Sequence, residues 1–343
     1  MKTHKLISLC LILVFSLSLF AACGAPSEGA VSSSPAVSQL SEVPSAPETS
    51  GGAHIRVASL KGPTTMGMVK LMQDAEEGLA QNDYTFTMTG TADEIVPKLV
   101  KGDINIALVP ANLASILYHK TEGGVQVAAV NTLGVLYMME NGDTVHSVAD
   151  LEGKTVYTPG KGTTPEYVLR YILEKNGVNC NIEFLSEATE AAAKFETEEN
   201  CIIMLPQPYA SAVTMQNQTV RAALDMTVEW DKVSPSPLVT GVVVVRKAFA
   251  EENPEAVETF LSEYAASIQW VTGNTDAAAA LVAKYGIVEK EAVAKKALPA
   301  CNITYLSSAD MVNAVTGYLT VLLEAEPKSI GGSLPGPDFY YEN

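Results

Sequence analysis

Apolar and polar positions switch between two periods along most of this 343-residue chain. From His54 to Leu60, and again from Tyr84 to Thr89, they alternate with the period of two that marks a strand. Between these segments, after Pro63-Thr64-Thr65, Met68, Met72, Ala75 and Leu79 recur at three- and four-residue spacing, which predicts an amphipathic helix. Thr91-Ala92-Asp93-Glu94 has the form of a capping box opening a helix with Ile95, Val96, Leu99 and Val100 on one face. Pro97 lacks an N–H and should kink that helix or force a later first turn. Ile104 to Val109 predicts a strand, Asn112 a helix start, and Val125 to Asn131 a further strand. Strands separated by helices argue for a mostly parallel sheet covered by helices.

A second cycle starts near residue 150. Thr155 to Thr158 is a short strand, and Thr163-Thr164-Pro165-Glu166 opens a helix carrying Tyr167, Leu169, Ile172 and Leu173 to a stop at Asn176-Gly177. Ile182 to Leu185, Ala188 to Phe195 and Cys201 to Leu205 repeat strand, helix, strand. Val239 to Val245 is a β-branched run of the kind buried on both faces. Beyond it the pattern is helical to about Ala325. Those helices have no strands of their own to cover, so they are expected to fold back on the first lobe and make it discontinuous.

The amino-terminal pattern is different. Lys2 and Lys5 precede an apolar run from Leu6 to Phe20. It has the length of a signal-peptide core and falls short of the ~20 residues of a spanning helix. It ends Leu19-Phe20-Ala21-Ala22-Cys23-Gly24, where small residues before a Cys form a lipobox, with Phe20 where Leu is more common. Cleavage before Cys23 and lipidation of its sulfur are therefore expected. Residues 1–22 read as the signal peptide. Residues 23–52, rich in Ser, Pro, Ala, Gly and Glu, read as the lipidated Cys and a flexible linker. No later apolar run reaches about 18 residues, so the lipid is the only membrane attachment expected.

Charge narrows the partners. Of 22 Lys and Arg, two lie in the signal peptide, which leaves 20 basic against 39 acidic residues, a net of −19. This disfavours nucleic acid and anionic lipid surfaces. Beside Cys23, the mature chain keeps Cys180, Cys201 and Cys301. Cys180 and Cys201 either bridge or sit as small buried hydrophobes, and their spacing fits no metal site. Catalytic motifs are missing. Gly62 to Gly67 has Walker-like spacing, but Met68-Val69 stands where Lys-Ser/Thr is required. Gly160-Lys161-Gly162 runs into Pro165 and not into a third Gly. The four His residues lack ligand spacing.

Two stretches carry a resemblance. Val148-Ala149-Asp150-Leu151-Glu152-Gly153-Lys154-Thr155-Val156 is similar to the entry into the second lobe of type II solute-binding proteins. Val243-Val244-Val245-Arg246 with Phe249-Ala250-Glu251-Glu252-Asn253-Pro254-Glu255 resembles their return strand and helix. The closest branch is that of nitrate, sulfonate and thiamine-precursor binding proteins of ABC importers. The resemblance implies an α/β, two-lobed periplasmic-binding-protein fold. Lobe 1 would comprise 53–135 and 243–343, and lobe 2 would comprise 136–242. It implies a protein anchored on the outer face of a bacterial cytoplasmic membrane that closes over a small solute and passes it to an ABC permease. No cofactor, metal or catalysis is implied. Two alternatives stay open: a binding lipoprotein serving a membrane sensor, and an enzyme of this fold, as in thiamine and menaquinone biosynthesis.

The candidate solute contacts follow from this geometry. Lys61-Gly62-Pro63-Thr64-Thr65 and Lys161-Gly162-Thr163-Thr164-Pro165 are near-repeats after the first strand of each lobe, and they either contact the solute or only cap helices. Asn112, Asn131 and Thr132 end lobe 1 strands, Gln207 and Tyr209 end a lobe 2 strand, and Thr240 lies at the return to lobe 1. Helix N-termini and Lys residues would favour an anionic solute. Asn112, Gln207 and Tyr209 would instead suit a neutral heteroaromatic one.

Overall fold

The computed structural model describes residues 53–342. Residues 1–52, read above as signal peptide, lipidated Cys23 and linker, lie outside them.

The chain builds two sheets. It enters the first through β1 (His54–Leu60), α1 (Pro63–Met66), α2 (Val69–Glu76), β2 (Asp83–Thr89), α3 (Val96–Lys101), β3 (Ile106–Pro110), α4 (Ala111–Lys120) and β4 (Val125–Thr132). It crosses at 133–135 to β5 (Leu136–Asn141), β6 (Thr155–Thr158), α5 (Thr164–Asn176), β7 (Asn181–Phe184), α6 (Glu190–Thr197), β8 (Ile202–Pro206), α7 (Tyr209–Gln216), β9 (Val220–Asp225) and α8 (Met226–Asp231). A second crossing at 232–240 leads back to β10 (Gly241–Arg246). Then follow α9 (Lys247–Glu252), α10 (Pro254–Gly273), α11 (Thr275–Lys284), α12 (Glu291–Ala297), β11 (Ile303–Leu306) and α13 (Ser308–Ala325).

The first sheet runs β11-β4-β10-β3-β1-β2 and the second β7-β6-β8-β5-β9. In each, three strands pair in parallel around the first of the set, β1 with β2 and β3, and β6 with β7 and β8. The strand that arrives from the other crossing inserts antiparallel: β10 between β3 and β4, β5 between β8 and β9. The two lobes thus repeat one strand order, and strand direction stays mostly parallel. Val242, Val243, Val244 and Val245 have no exposed surface. Burial on both sheet faces, worth about 1.5 kcal/mol or more per side chain, explains their uninterrupted apolar run.

Local chemistry accounts for several boundaries. Pro97 sits in the first turn of α3, where its missing N–H costs nothing, and the helix starts late, at Val96. Gly177 closes α5 in the left-handed conformation. Two expected buried positions are corrected. α2 stops at Glu76, which leaves Leu79 exposed beyond it, and Val100 faces solvent on the outer side of α3. β5, β9 and β11, together with α8, were not expected. They are short, and their alternation is masked by mixed residues such as Glu140 and Arg221.

One face of both sheets shares a continuous core that includes residues of α4, α5, α8 and α13; separate clusters fill the other faces. Cys180, Cys201 and Cys301 are all free thiols, so the bridge considered between the first two is not formed. Burial pushes the thiol of Cys201 up to about 11 and that of Cys301 up to about 12. Among the described residues no helix is long and apolar enough to cross a membrane, and no group of His, Cys, Asp and Glu could hold a metal.

Candidate functional site

Strand ends from both lobes meet at the crossings. Thr240 N donates to Thr132 O, Ala111 N to Thr240 O, and Gln207 N to Val135 O, which ties the ends of β3, β4 and β8 to the two connecting segments. Asn302 Nδ2 donates to Gly134 O at 2.6 Å and Leu133 N to Asn302 O at 3.0 Å, fixing the first crossing.

On lobe 1 the expected contacts form a buried polar block. Thr64 Oγ1 donates to Leu60 O at 3.1 Å, and Thr65 Oγ1 bonds to Ser59 Oγ and Leu60 O. Thr132 Oγ1 donates to Asn131 Oδ1 at 3.0 Å, and Asn131 Nδ2 reaches Thr64 O at 3.5 Å. Gly241 permits this approach, since a Cβ there would lie 2.5 Å from Asn131 Oδ1 and 2.6 Å from Thr64 Cγ2. Thr65, Asn131 and Thr132 are buried, and Thr64 nearly so. These residues lie together, and their hydroxyls are committed to Leu60 O, Ser59 Oγ and Asn131 Oδ1. Gly62 has a positive φ of 139°, which favours glycine, and leads into Pro63 at the first turn of α1. Lys61 is exposed, and Thr240 is half-buried in the crossing.

Asn112 is placed differently from expectation. Its Nδ2 donates to Ser329 O, and Ser115 Oγ donates to Ile330 O, so this face of α4 holds the turn at 327–330.

On lobe 2, α5 opens with its own anion. Gly162 N donates to Glu166 Oε2 and Arg170 Nε to Glu166 Oε1, both at 2.7 Å. Burial alone would raise the Glu166 pKa, but these two donors outweigh it and hold the carboxyl below its ordinary range. Thr163 Oγ1 donates to Gly160 O, and Lys161 Nζ lies 5.4 Å from the centre of the Phe184 ring. The Thr163 hydroxyl is therefore committed within the loop, while Lys161 stays exposed beside Phe184 of β7.

Thr164 meets a residue that the sequence does not announce. Tyr318 of α13 is fully buried, and its hydroxyl approaches the Thr164 side chain without a hydrogen bond of ordinary geometry among the described residues. Burial pushes its pKa well above the ordinary tyrosine value. Tyr318 packs at a tilt against Trp230, which in turn packs on Tyr171 of α5 at 4.7 Å between ring centres. Trp230 Nε1 donates to Ser236 O in the second crossing, and Gly317 lets α13 close on Ser236. In sequence Tyr318 belongs to an apolar helical stripe with Met311, Ala314, Val315 and Leu322, which signals packing and hides the hydroxyl.

Gln207 caps α7, its Oε1 accepting from Ser211 N, while Tyr209 stands 41% exposed beside it. Across the crossing Tyr137 Oη donates to Ala300 O at 3.1 Å, joining lobe 2 to the segment before β11.

Residues 66–299 match the model of the VitK2_biosynth family, described as menaquinone biosynthesis. The chain belongs to that family. No curated protein matches it in sequence. Among solved structures it resembles an ABC transporter protein from Parabacteroides distasonis, with 22% identity over 84% of this chain and 98% of the other, at a TM-score of 0.72. It also resembles the periplasmic aliphatic sulphonate-binding protein SsuA from Escherichia coli, with 17% identity over 84% and 96% and a TM-score of 0.67. The alkanesulfonate-binding protein SsuA from Xanthomonas axonopodis pv. citri, bound to MOPS, matches at 15% identity over 83% and 96%, with a TM-score of 0.58. At these identities the likeness is one of fold, and it bears out the periplasmic-binding-protein architecture read from the sequence.

Proposed function

We propose that this protein is an extracytoplasmic solute-binding protein, anchored through Cys23, that captures a small molecule between its lobes and delivers it to an ABC importer unchanged. The observation that carries the reading is the pairing of two sheets of one strand order through two crossings, with strand carboxyl ends of both lobes gathered there. In open α/β sheets that is where ligands bind. A solute touching both lobes biases them toward closure. The lipobox and the fold shared with sulphonate-binding proteins support the assignment.

Those relatives would suggest an anion, yet the lip of α5 favours an uncharged, hydrogen-bonding or heteroaromatic solute. Glu166 already occupies the Gly162 N–H, Lys161 lies beside the Phe184 ring, and the Tyr318 hydroxyl makes no hydrogen bond of ordinary geometry among the described residues. A second reading, an enzyme, is favoured by the family's description as menaquinone biosynthesis. One experiment separates them: purify the protein from its host, denature it, identify the released molecule by mass spectrometry, then incubate fresh protein with it. Recovery of the intact molecule, with loss of its uptake in a deletion strain, is expected. Conversion to a product would establish the enzyme, and normal uptake in the deletion strain would point to a sensor.

A further inference from the structure

The face of the second sheet opposite α5 and α8 carries a groove of about 520 Å³ that shares only Gln207 with the candidate solute contacts. Lobe 2 supplies Tyr137, Gln207, Ser211 and Arg221 to its wall, and the segment around α12 supplies Lys296 and Ala300. In a chain with 39 acidic residues against 22 basic ones, both charged side chains of this groove are basic. Arg221 is committed to Glu140, Gly142 O and Val145 O. Lys296 is exposed and makes no ion pair among the described residues, whereas its neighbour Lys295 pairs with Asp276.

The buried part of the wall is also short of acceptors. Gln207 and Ser211 are 5% and 4% exposed. The Gln207 carbonyl oxygen accepts from Ser211 N, but the Gln207 Nε2 and the Ser211 hydroxyl have no partner among the described residues. Both residues line the groove, where these two atoms remain open to solvent and free to donate to a ligand. Amide, hydroxyl and ammonium donors thus share one wall over an apolar floor from β5 and β9.

We propose that this groove is a second ligand site, and that it takes a small organic monocarboxylate. The carboxylate accepts from Lys296, Ser211 and Gln207, and its apolar body lies on the sheet. Because Lys296 and Ala300 come from outside lobe 2 and the Tyr137–Ala300 bond lies at its edge, the occupant bridges the crossing and favours the lobe arrangement in which those groups touch.

The test uses the full chain and fluorine NMR of 4-(trifluoromethyl)benzoate, with 4-(trifluoromethyl)benzamide as its uncharged counterpart. The benzoate resonance should broaden saturably and the benzamide should bind more weakly. Lys296→Gln and Ser211→Ala should each weaken the benzoate by about tenfold, the loss of one charge-assisted hydrogen bond. Lys295→Gln removes the same charge from the same helix and should leave binding as it was. Absence of benzoate binding overturns the proposal. So does equal binding to Lys296→Gln, which would place the probe in the cleft, or equal weakening by Lys295→Gln, which would reduce the effect to diffuse charge.

Discussion

Tyr318→Phe should stabilise the unliganded protein and impair it as a receptor. The hydroxyl is fully buried, approaches Thr164 and makes no hydrogen bond of ordinary geometry among the described residues. Leaving such a group unsatisfied costs about 1–3 kcal/mol, and removing it restores that amount while the ring keeps its packing on Trp230. Taking the lower end, a gain of about 1 kcal/mol raises the melting temperature of a body this size by roughly 2 °C. If the hydroxyl is kept for the solute, the same change removes one hydrogen bond from the complex and weakens binding by about tenfold. Differential scanning calorimetry of the unliganded protein reads the first effect, and titration calorimetry with the solute recovered from the native protein reads the second. A variant that melts roughly 2 °C lower, a loss of about 1 kcal/mol, would mean that the hydroxyl is satisfied internally, and the argument from Tyr318 would be wrong.

Arg221→Met should destabilise lobe 2 by about 3 kcal/mol, because it strands the fully buried Glu140 carboxylate. Denaturant melts check this, and a loss below about 1 kcal/mol would refute it. Burial raises the pKa of Glu140, but bonds from Thr144 and Val145 and the charge of Arg221 bring it below the ordinary 4.5. Its stabilisation is therefore complete above that pH and lost as the pH falls through the lowered folded value, which melts between pH 6 and pH 3 should trace. Gly317→Ala puts a Cβ 1.8 Å from Ser236 Oγ and 2.5 Å from its Cβ, so α13 must shift, at a cost of about 1–3 kcal/mol. Adding Ser236→Gly should restore most of that stability, and a double variant no more stable than the single one would show that the crowding lies elsewhere. Cys23→Ala should release the protein from washed membranes with its solute binding intact, and retention there would refute the lipid anchor.

Much of the architecture was legible in the chain itself. The alternation of strand and helix periods, the β-branched run at Val242–Val245 and the proline and glycine helix boundaries are local physics, set by steric preference and by which face must leave water. The two near-repeats were also legible as helix-opening turns, one after β1 and the other after β6, which is the second strand of lobe 2 and not the first. What those residues do there was decided by tertiary structure. Thr64 and Thr65 turn their hydroxyls back on the end of β1, and Asn131 reaches Thr64 O because the antiparallel insertion of β10 puts Gly241 between them. Glu166 folds back on Gly162, and Asn112 is drawn to a turn more than two hundred residues away. Tyr318 and Trp230 read in sequence only as apolar faces. A hydroxyl acquires its meaning from what it faces once buried, and only the packing of α13 on α5 and α8 sets that. The sequence therefore determined the lobes and the route of the chain between them, and the long-range packing decided which polar groups were left for a ligand.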